Sequence, residues 1–155
     1  MITKKKNIFW LEDDPHSLKD YCEELRKVYD LSIGAHLGII QQKRKNQFDL
    51  ILVDLMIHHS SFGYGKEKEV QNIGFPDVHW TQTGVEFLRR IRKGEYETYG
   101  FKKNVPVIVA TGVVNYPARD ETKKHKIKDF LVKPFTIDDL EKSIEKALTL
   151  SDNKE

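Results

Sequence analysis

The sequence predicts an α/β domain in which helices cover both faces of a doubly wound, mostly parallel sheet. Short apolar runs typical of buried strands alternate with longer segments in which apolar residues recur at helical spacing. This alternation favours right-handed crossovers between parallel strands. A length of 155 residues suits one domain. We therefore expect a single domain over residues 1–155.

Five segments are predicted to be strands. Four are clear apolar runs, and each ends at a polar residue: 8–11 before Glu12, 48–53 before Asp54, 105–110 before Thr111 and 130–132 before Lys133. A weaker strand is predicted near residues 31–35. In an open parallel sheet, ligands bind outside the carboxyl ends of the strands, so we expect these polar residues to converge on one crevice.

The first predicted helix begins at Pro15, because proline is tolerated in the first turn of a helix. Its helical spacing predicts one buried face, formed by Leu18, Tyr21, Cys22, Leu25 and Val28. A short helix is also predicted over residues 37–46, although Gly38 weakens the pattern. With three helices farther along the chain, about five helices are expected.

The three further helices lie in the second half of the chain. The first begins with a capping box from Thr83 to Glu86 and stops at Gly94. The next is predicted within residues 113–128. The last has Thr136 as its N-cap, and its buried stripe consists of Ile137, Leu140, Ile144 and Leu148.

The overall composition excludes several classes of protein. A net charge of +2, from 26 basic and 24 acidic side chains, does not indicate nucleic-acid or membrane binding. The single cysteine, Cys22, cannot form an internal disulfide, and no apolar run reaches the length of a membrane span. We therefore expect a cytoplasmic protein with no direct nucleic-acid contact and no membrane insertion.

Glu12, Asp13 and Asp54 are predicted to form a magnesium site at the crevice. Carboxylates crowded at one strand edge raise one another's pKa unless a cation lies among them, and Mg²⁺ prefers oxygen ligands. With the metal bound, an aspartate can act as a nucleophile towards a phosphoryl donor. Lys133 and Thr111 could then contact other phosphoryl oxygens.

The order of these residues resembles the response-regulator receiver domain of two-component signalling. The match consists of an acidic pair after the first strand, an aspartate after the third, Thr-Gly after the fourth and Lys-Pro after the fifth, and it extends from Lys6 to about Leu150. The resemblance implies a flavodoxin-like (βα)5 three-layer sandwich with a five-stranded parallel sheet. It also implies a phosphoryl donor, either a sensor histidine kinase or a histidine phosphotransfer protein.

By the same resemblance, Asp54 is implied to be the phosphoacceptor. Glu12 and Asp13 correspond to the family's magnesium-binding pair, and Asp54 would complete the carboxylate ligands. Met56 corresponds to the residue whose backbone carbonyl binds the metal. The implied cofactor is therefore Mg²⁺, held by three acids and one carbonyl.

The remaining motif positions imply a phosphate contact and a switch. Lys133 corresponds to the phosphate-binding lysine, and the bond between Lys133 and Pro134 is expected to be cis. Thr111 corresponds to the switch hydroxyl and Phe130 to the switch aromatic residue. Phosphorylation would bias these two side chains between two arrangements.

The chain departs from the family after Asp54. Thirty positions separate Asp54 from Gly84, a distance that receivers usually cover with a short connection. We therefore expect an insertion at about residues 57–82, since a connection of this length in a compact domain is usually functional or disordered. We predict that it forms a partial lid or a partner-docking surface near the phosphoryl pocket.

The expected function is a stand-alone signalling switch that is not an enzyme and that binds a downstream protein target. One alternative is a phosphorylation-independent scaffold with a receiver fold. A metal-dependent phosphatase is a weaker alternative, because Met56 stands where such enzymes place a second aspartate. A basic stretch indicates either a solvated helix face or a docking patch for an acidic partner: Arg119, Lys123, Lys124, Lys126 and Lys128.

Overall fold

The computed structural model describes residues 4–35, 40–57, 80–112 and 116–152. These residues form a five-stranded sheet with strands β1 (Asn7–Leu11), β2 (Asp30–Gly34), β3 (Leu50–Val53), β4 (Val107–Thr111) and β5 (Asp129–Val132). All neighbouring strands are parallel, and their order is β2-β1-β3-β4-β5. The predicted doubly wound sheet is confirmed, and its strand order reverses between β1 and β3.

The described part of the chain contains four α-helices: α1 (Lys19–Arg26), α2 (Thr83–Arg92), α3 (Tyr116–Lys123) and α4 (Ile137–Asp152). Within the same described ranges, three 3-10 turns span Pro15–Leu18, Trp80–Gln82 and Glu97–Tyr99. None of the described helices is long and apolar enough to cross a lipid bilayer.

Side chains alternate between the two faces of the sheet, and each face has its own apolar core. On one face, Phe9 of β1 belongs to the same buried cluster as Phe87 of α2. On the other face, Trp10 of β1 clusters with Leu25 of α1 and Ile144 of α4. The molecule is therefore a sandwich of helices, sheet and helices, as the resemblance implied.

The parallel register brings the carboxyl ends of the strands to one edge of the sheet. Leu11 at the end of β1 is paired with Val53 at the end of β3. Backbone hydrogen bonds continue one residue beyond the strands, since Asp54 N–H donates to Leu11 O at 3.0 Å and Lys133 N–H donates to Thr111 O at 2.8 Å. These bonds fix the backbone of Asp54 and Lys133 although neither residue lies within a strand.

The first helix is shorter than predicted. It ends at Arg26, so Val28 lies beyond it and is 58% exposed rather than buried. Cys22 and Leu25 are buried as predicted. The preceding 3-10 turn is capped by Asp14, because its carboxylate accepts a backbone N–H from that turn.

The start of α2 also differs from the prediction. Thr83 is its first residue rather than its N-cap, and Gln82 occupies the cap position without a side-chain hydrogen bond. The predicted capping box is therefore wrong. Thr83 is buried, and Glu86 pairs with Arg89 and Arg90 on the following turn.

Two other helix ends are confirmed. Gly94 follows the last turn of α2 with a φ of +84°, a left-handed conformation that glycine adopts without steric cost. Thr136 caps α4, since its hydroxyl accepts the N–H of Asp139 at 3.0 Å. The predicted buried stripe on α4 is confirmed as well: Leu140 and Ile144 are fully buried, and Ile137 and Leu148 pack against them in part.

Of the helix predicted over residues 37–46, Ile40 is helical, whereas residues 41–46 contain no helix, so the prediction is wrong for that part. Residues 37–39 lie outside the described ranges. Instead of helical bonds, Arg44 N–H donates to Thr98 O at 3.3 Å. Part of the hydrogen bonding of this backbone segment is thus made with the loop that precedes β4 rather than within a helix.

Candidate functional site

Glu12, Asp13 and Asp54 lie together at the carboxyl edge of the sheet. Each offers one carboxylate oxygen, and these atoms lie within 4.8 Å of one another. Glu12 and Asp13 follow β1 directly, and Asp54 follows β3 directly, so the cluster lies where the strand order reverses. Glu12 is only 2% exposed, and Asp54 is also buried.

Lys133 lies against this acidic cluster. Its ammonium donates to Glu12 Oε2 at 2.7 Å and to Asp54 Oδ2 at 3.0 Å. The Lys133 side chain is 27% exposed, more than either carboxylate that it contacts. The bond between Lys133 and Pro134 is cis, as expected. One cation thus bridges two acids that come from different strands.

The second carboxylate oxygen of Asp54 has its own donors. The Thr111 hydroxyl donates to Asp54 Oδ1 at 2.8 Å, and the backbone N–H of Met56 donates to the same oxygen at 3.3 Å. Thr111 is fully buried at the end of β4. Asp54 is therefore oriented through both oxygens, one by a hydroxyl and an amide and the other by an ammonium.

The electrostatics of the cluster follow from burial and from like charges. Burial and the neighbouring Asp54 carboxylate raise the pKa of Glu12 to about 8, although Lys133 opposes this shift. Burial lowers the pKa of Lys133, but the charges of Asp54 and Glu12 outweigh that effect, so this pKa is raised. The lysine stays charged, whereas burial and the Asp54 carboxylate disfavour the ionised form of Glu12.

The acidic cluster could hold a divalent cation. All its donor atoms are carboxylate oxygens, which Mg²⁺ prefers. A cation among them would also favour the ionised form of Glu12, which burial now disfavours. Met56, the predicted carbonyl ligand, lies two residues after Asp54 in the same loop.

Gly84 at the start of α2 packs directly against the Asp54 loop. A Cβ atom at this position would lie 2.3 Å from Asp54 O and 2.6 Å from Leu55 Cα, both backbone atoms. Gly84 N–H also donates to Leu55 O at 3.0 Å. Only glycine fits here, so the helix supports the backbone that carries Asp54.

Tyr21 contributes to the site in a way that sequence reasoning missed. Its hydroxyl donates to the carbonyl of Phe135, and the two rings lie 5.2 Å apart. Phe135 follows Lys133 by two residues, so α1 holds the loop that carries the lysine. This contact could have been inferred from the position of Tyr21 at the margin of the apolar face of α1. A half-buried tyrosine hydroxyl there needs a hydrogen-bond partner.

The predicted switch aromatic, Phe130, lies in β5 and is half-buried. The guanidinium of Arg119 in α3 lies 4.8 Å from the centre of its ring. Among the described residues, the Nε of Arg119 is buried without a hydrogen-bond partner. The contact between α3 and β5 at this point therefore depends on the Phe130 ring.

The predicted insertion lies mostly outside the described residues. Of positions 57–82, the structure describes Ile57, which is buried, and the backbone turn Trp80–Gln82 that leads into α2. The prediction of a lid or docking surface therefore stays a prediction.

Comparison with known proteins supports the fold. No protein-family model and no curated protein matches the sequence. A response-regulator receiver domain from Methanospirillum hungatei is 18% identical, with a TM-score of 0.66 over 98% of this chain and 100% of that one. The receiver domain of a modulated diguanylate cyclase from Desulfovibrio desulfuricans is 20% identical, with the same TM-score and the same coverage.

The protein has the response-regulator receiver fold. A third structure with this fold is the receiver domain of a sensor histidine kinase from Pseudomonas aeruginosa, which is 20% identical, with a TM-score of 0.63 over 94% of this chain and 99% of that one. That structure has a magnesium ion coordinated in its active-site cleft. In the present receiver fold, the acidic cluster occupies the carboxyl edge of the sheet, where such α/β folds bind ligands.

Proposed function

We propose that the protein is a phosphorylation-dependent signalling switch in which Asp54 accepts a phosphoryl group. The position of Asp54 carries this proposal: its carboxylate lies between the ammonium of Lys133 and the hydroxyl of Thr111, in an acidic cluster of a receiver fold. A structural ion pair would account for one lysine with one carboxylate. It would not account for a cluster of three acids of which one lysine contacts two, since buried charges are costly unless they are compensated.

In the proposed reaction, an Oδ atom of Asp54 attacks the phosphorus of a phosphohistidine. The new O–P bond forms while the N–P bond breaks, and the electron pair of that bond stays on the leaving imidazole nitrogen. Lys133 would move from Asp54 Oδ2 to a phosphoryl oxygen, which it would bind as a point charge. The Thr111 hydroxyl would donate to another phosphoryl oxygen.

Mg²⁺ is the proposed cofactor and, when bound, neutralises negative charge on the transferring phosphoryl group. Glu12, Asp13 and Asp54 would hold it through carboxylate oxygens, and Met56 would add its backbone carbonyl. In the structure Glu12 accepts a hydrogen bond from Lys133. If Glu12 bound a cation instead, Lys133 would be released to contact the phosphoryl group.

The proposed partners follow from this chemistry. A sensor histidine kinase or a histidine phosphotransfer protein would donate the phosphoryl group, and a downstream protein would recognise the phosphorylated form. Rearrangement of Thr111 and Phe130 would change the surface formed by β5, α3 and α4. We propose a cytoplasmic, non-enzymatic receiver domain over residues 1–155, with an insertion at about 57–82 and no direct contact with nucleic acid or membrane.

Intact-mass spectrometry with a small phosphodonor tests the proposal. Wild-type protein incubated with acetyl phosphate and Mg²⁺ should gain the mass of one PO3 group, and Asp54→Asn should not. Asp30→Asn, which changes an exposed aspartate at the start of β2, is the matched control and should react like wild type. A folded wild-type protein that forms no adduct would favour the scaffold, and rapid continuous release of phosphate would favour the phosphatase.

A further inference from the structure

A cavity of about 750 Å³ lies at the amino edge of the sheet, opposite the acidic cluster. The residue directly before each of four strands lines it: Lys6 before β1, Asp49 before β3, Pro106 before β4 and Lys128 before β5. Small-molecule sites typically have volumes of roughly 300–1,000 Å³. The cavity therefore has the size of a ligand site, and it shares no residue with the Asp54 cluster.

Positive charge dominates the lining of this cavity. Arg92 and six lysines line it: Lys6, Lys102, Lys103, Lys124, Lys126 and Lys128. The lining thus contains seven of the 26 lysines and arginines of the chain. It contains one of the 24 aspartates and glutamates, Asp49. The rest of the chain is therefore net negative. A concave surface lined by one sign of charge concentrates ions of the opposite sign.

Neighbouring acids offset only part of this charge: among the described residues, Glu121 pairs with the lining residue Lys124 at 2.9 Å. Lys102, Lys103 and Lys126 are exposed and form no ion pair with any residue that the structure describes. The lining carboxylate, Asp49, accepts the backbone N–H of Asn7 at 2.7 Å. At least three ammonium groups are thus available to a ligand at the mouth of the cavity.

Arg92 holds the walls of the cavity in place. From the last residue of α2, its guanidinium donates to the carbonyls of His125 at 2.8 Å, Lys103 at 3.0 Å and Val105 at 2.8 Å. These bonds join the loop before β4 to the turn before β5, which carry most of the lysines. The backbone positions from which these lysines extend are therefore set before any ligand binds, which lowers the entropic cost of binding.

The backbone of Lys126 supports a functional role for its side chain. Its φ is +56°, in the left-handed region that residues other than glycine rarely adopt. Glycine or asparagine would fit this turn at lower conformational cost. Residues in such conformations concentrate at binding sites, so Lys126 is the lining lysine to test individually.

We propose that the amino-edge cavity binds a small anion that carries two or more phosphoryl groups, such as inorganic triphosphate or a nucleoside triphosphate. Lysines from separate loops can each contact a different phosphoryl oxygen, whereas a single phosphate could engage only some of them. The concave, fixed shape suits a compact ligand better than a flat protein surface or a nucleic-acid duplex. The proposal is independent of any role of Asp54.

Isothermal titration calorimetry with sodium triphosphate and with ATP tests this site, in EDTA so that no divalent metal binds the acidic cluster. Lys102→Gln with Lys103→Gln should weaken triphosphate binding by about tenfold or more, since the loss of one charge-assisted bond alone costs about that much. Lys126→Gly should also weaken binding without lowering the midpoint of urea unfolding, because glycine accepts the left-handed turn. Lys19→Gln with Lys142→Gln removes two exposed lysines elsewhere and should change nothing.

The outcomes separate the possible ligands. Equal affinity for triphosphate and ATP would support recognition of the phosphate chain alone, and tighter binding of ATP would support a nucleoside triphosphate. Absence of binding to the folded wild-type protein would overturn the proposal. Tighter binding of a short DNA duplex or an acidic peptide than of triphosphate would also overturn it, as would equal losses in the control variant. Formation of the Asp54 adduct should be unaffected in the cavity variants, so failure of either proposal can be recognised separately.

Discussion

The two edges of the sheet have opposite electrostatic character. At the carboxyl edge, the carboxylates of Glu12, Asp13 and Asp54 lie together, and the Lys133 ammonium contacts two of them, Glu12 and Asp54. At the amino edge, seven cations line a cavity with one carboxylate, Asp49. A net charge of +2 for the whole chain conceals this separation. Charge balance therefore says little about binding unless the fold shows which side chains share an edge.

The same architecture produces both concentrations of charge. In a parallel sheet all strands start at one edge and end at the other, so residues far apart in sequence converge at both edges. One helix, α2, connects the two regions: Gly84 at its start contacts the Asp54 backbone, and Arg92 at its end holds the walls of the cavity. Substitutions at either end of α2 should therefore affect different edges.

The largest expected effect is that of Lys133→Met on the carboxyl edge. We expect phosphorylation of Asp54 by acetyl phosphate to slow by about 100-fold or more, because a preorganised charge at a transferring group contributes this much. Rates should be followed by intact-mass spectrometry under saturating Mg²⁺. Lys103→Met at the amino edge is the control and should react as fast as wild type. Equal rates for the two variants would show that Lys133 has no role in phosphoryl transfer.

Gly84→Ala should have the largest effect on stability. Its Cβ would lie 2.3 Å from Asp54 O, and a backbone atom cannot move away cheaply. We expect a loss of about 3 kcal/mol in the free energy of unfolding, the upper end of the usual cost of overpacking. Urea denaturation measures it.

Gly112→Ala is the matched control for that variant, since an added Cβ there meets no atom within 4 Å. Its effect on unfolding should be below about 1 kcal/mol. Equal stability of the two alanine variants would show that α2 does not pack closely against the Asp54 loop at Gly84.

The fold and the acidic cluster could be predicted because both depend on boundaries within the sequence. Each apolar run that stops at a polar residue marks where a strand leaves the core, as at Asp54 and Thr111. The parallel sheet then brings those boundaries to one edge. The pattern of apolar runs was sufficient for this prediction, because the parallel sheet only brings together residues that the pattern had already identified.

Other features could not be predicted because they depend on tertiary contacts. The Thr83 to Glu86 spacing matches a capping box, but it cannot reveal that Thr83 is already inside the helix and that Glu86 has arginine partners. Similarly, no pattern in the sequence distinguishes Lys102 and Lys103 from the other lysines of the chain. Only the fold places them beside the basic turn before β5.

Arg92→Met should loosen the amino edge and leave the carboxyl edge intact. Its guanidinium donates to three carbonyls, and burial lowers its pKa without removing its charge. Loss of these bonds should destabilise the protein by about 2 kcal/mol and weaken triphosphate binding, while Asp54 phosphorylation stays normal.

Lys93→Met, at the exposed neighbouring position, serves as the control for this variant. It should change neither unfolding in urea nor the calorimetric affinity for triphosphate. An unchanged affinity in Arg92→Met would mean that the cavity walls do not depend on the arginine.

Tyr21→Phe tests whether α1 helps to hold the Lys133 loop at the carboxyl edge. The variant loses the hydroxyl that donates to Phe135 O but keeps the ring contact. We expect a loss of about 1 kcal/mol in stability, the usual net value of one hydrogen bond, together with slower phosphorylation because the Lys133 loop is less constrained. Tyr29→Phe, at a half-buried position outside the site, should leave the phosphorylation rate unchanged. A normal rate in Tyr21→Phe would limit the role of this hydroxyl to stability.

The smallest expected effect belongs to Glu86→Gln, in the middle of α2, away from both edges. Bonds from Arg89 and Arg90 lower the pKa of Glu86 to about 2, despite a smaller opposing effect of burial. A lowered pKa in the folded state means that the ionised form stabilises the fold above the ordinary pKa of 4.5, and that this contribution disappears as the pH falls towards 2. Because the pair is near the surface, we expect wild type to exceed the variant by about 1 kcal/mol at pH 7 and by progressively less below pH 4.5 in urea titrations. Both the Asp54 adduct and triphosphate affinity should be unchanged, since Glu86 touches neither edge. A stability difference that persisted at pH 2 would show that the carboxylate charge is not the cause.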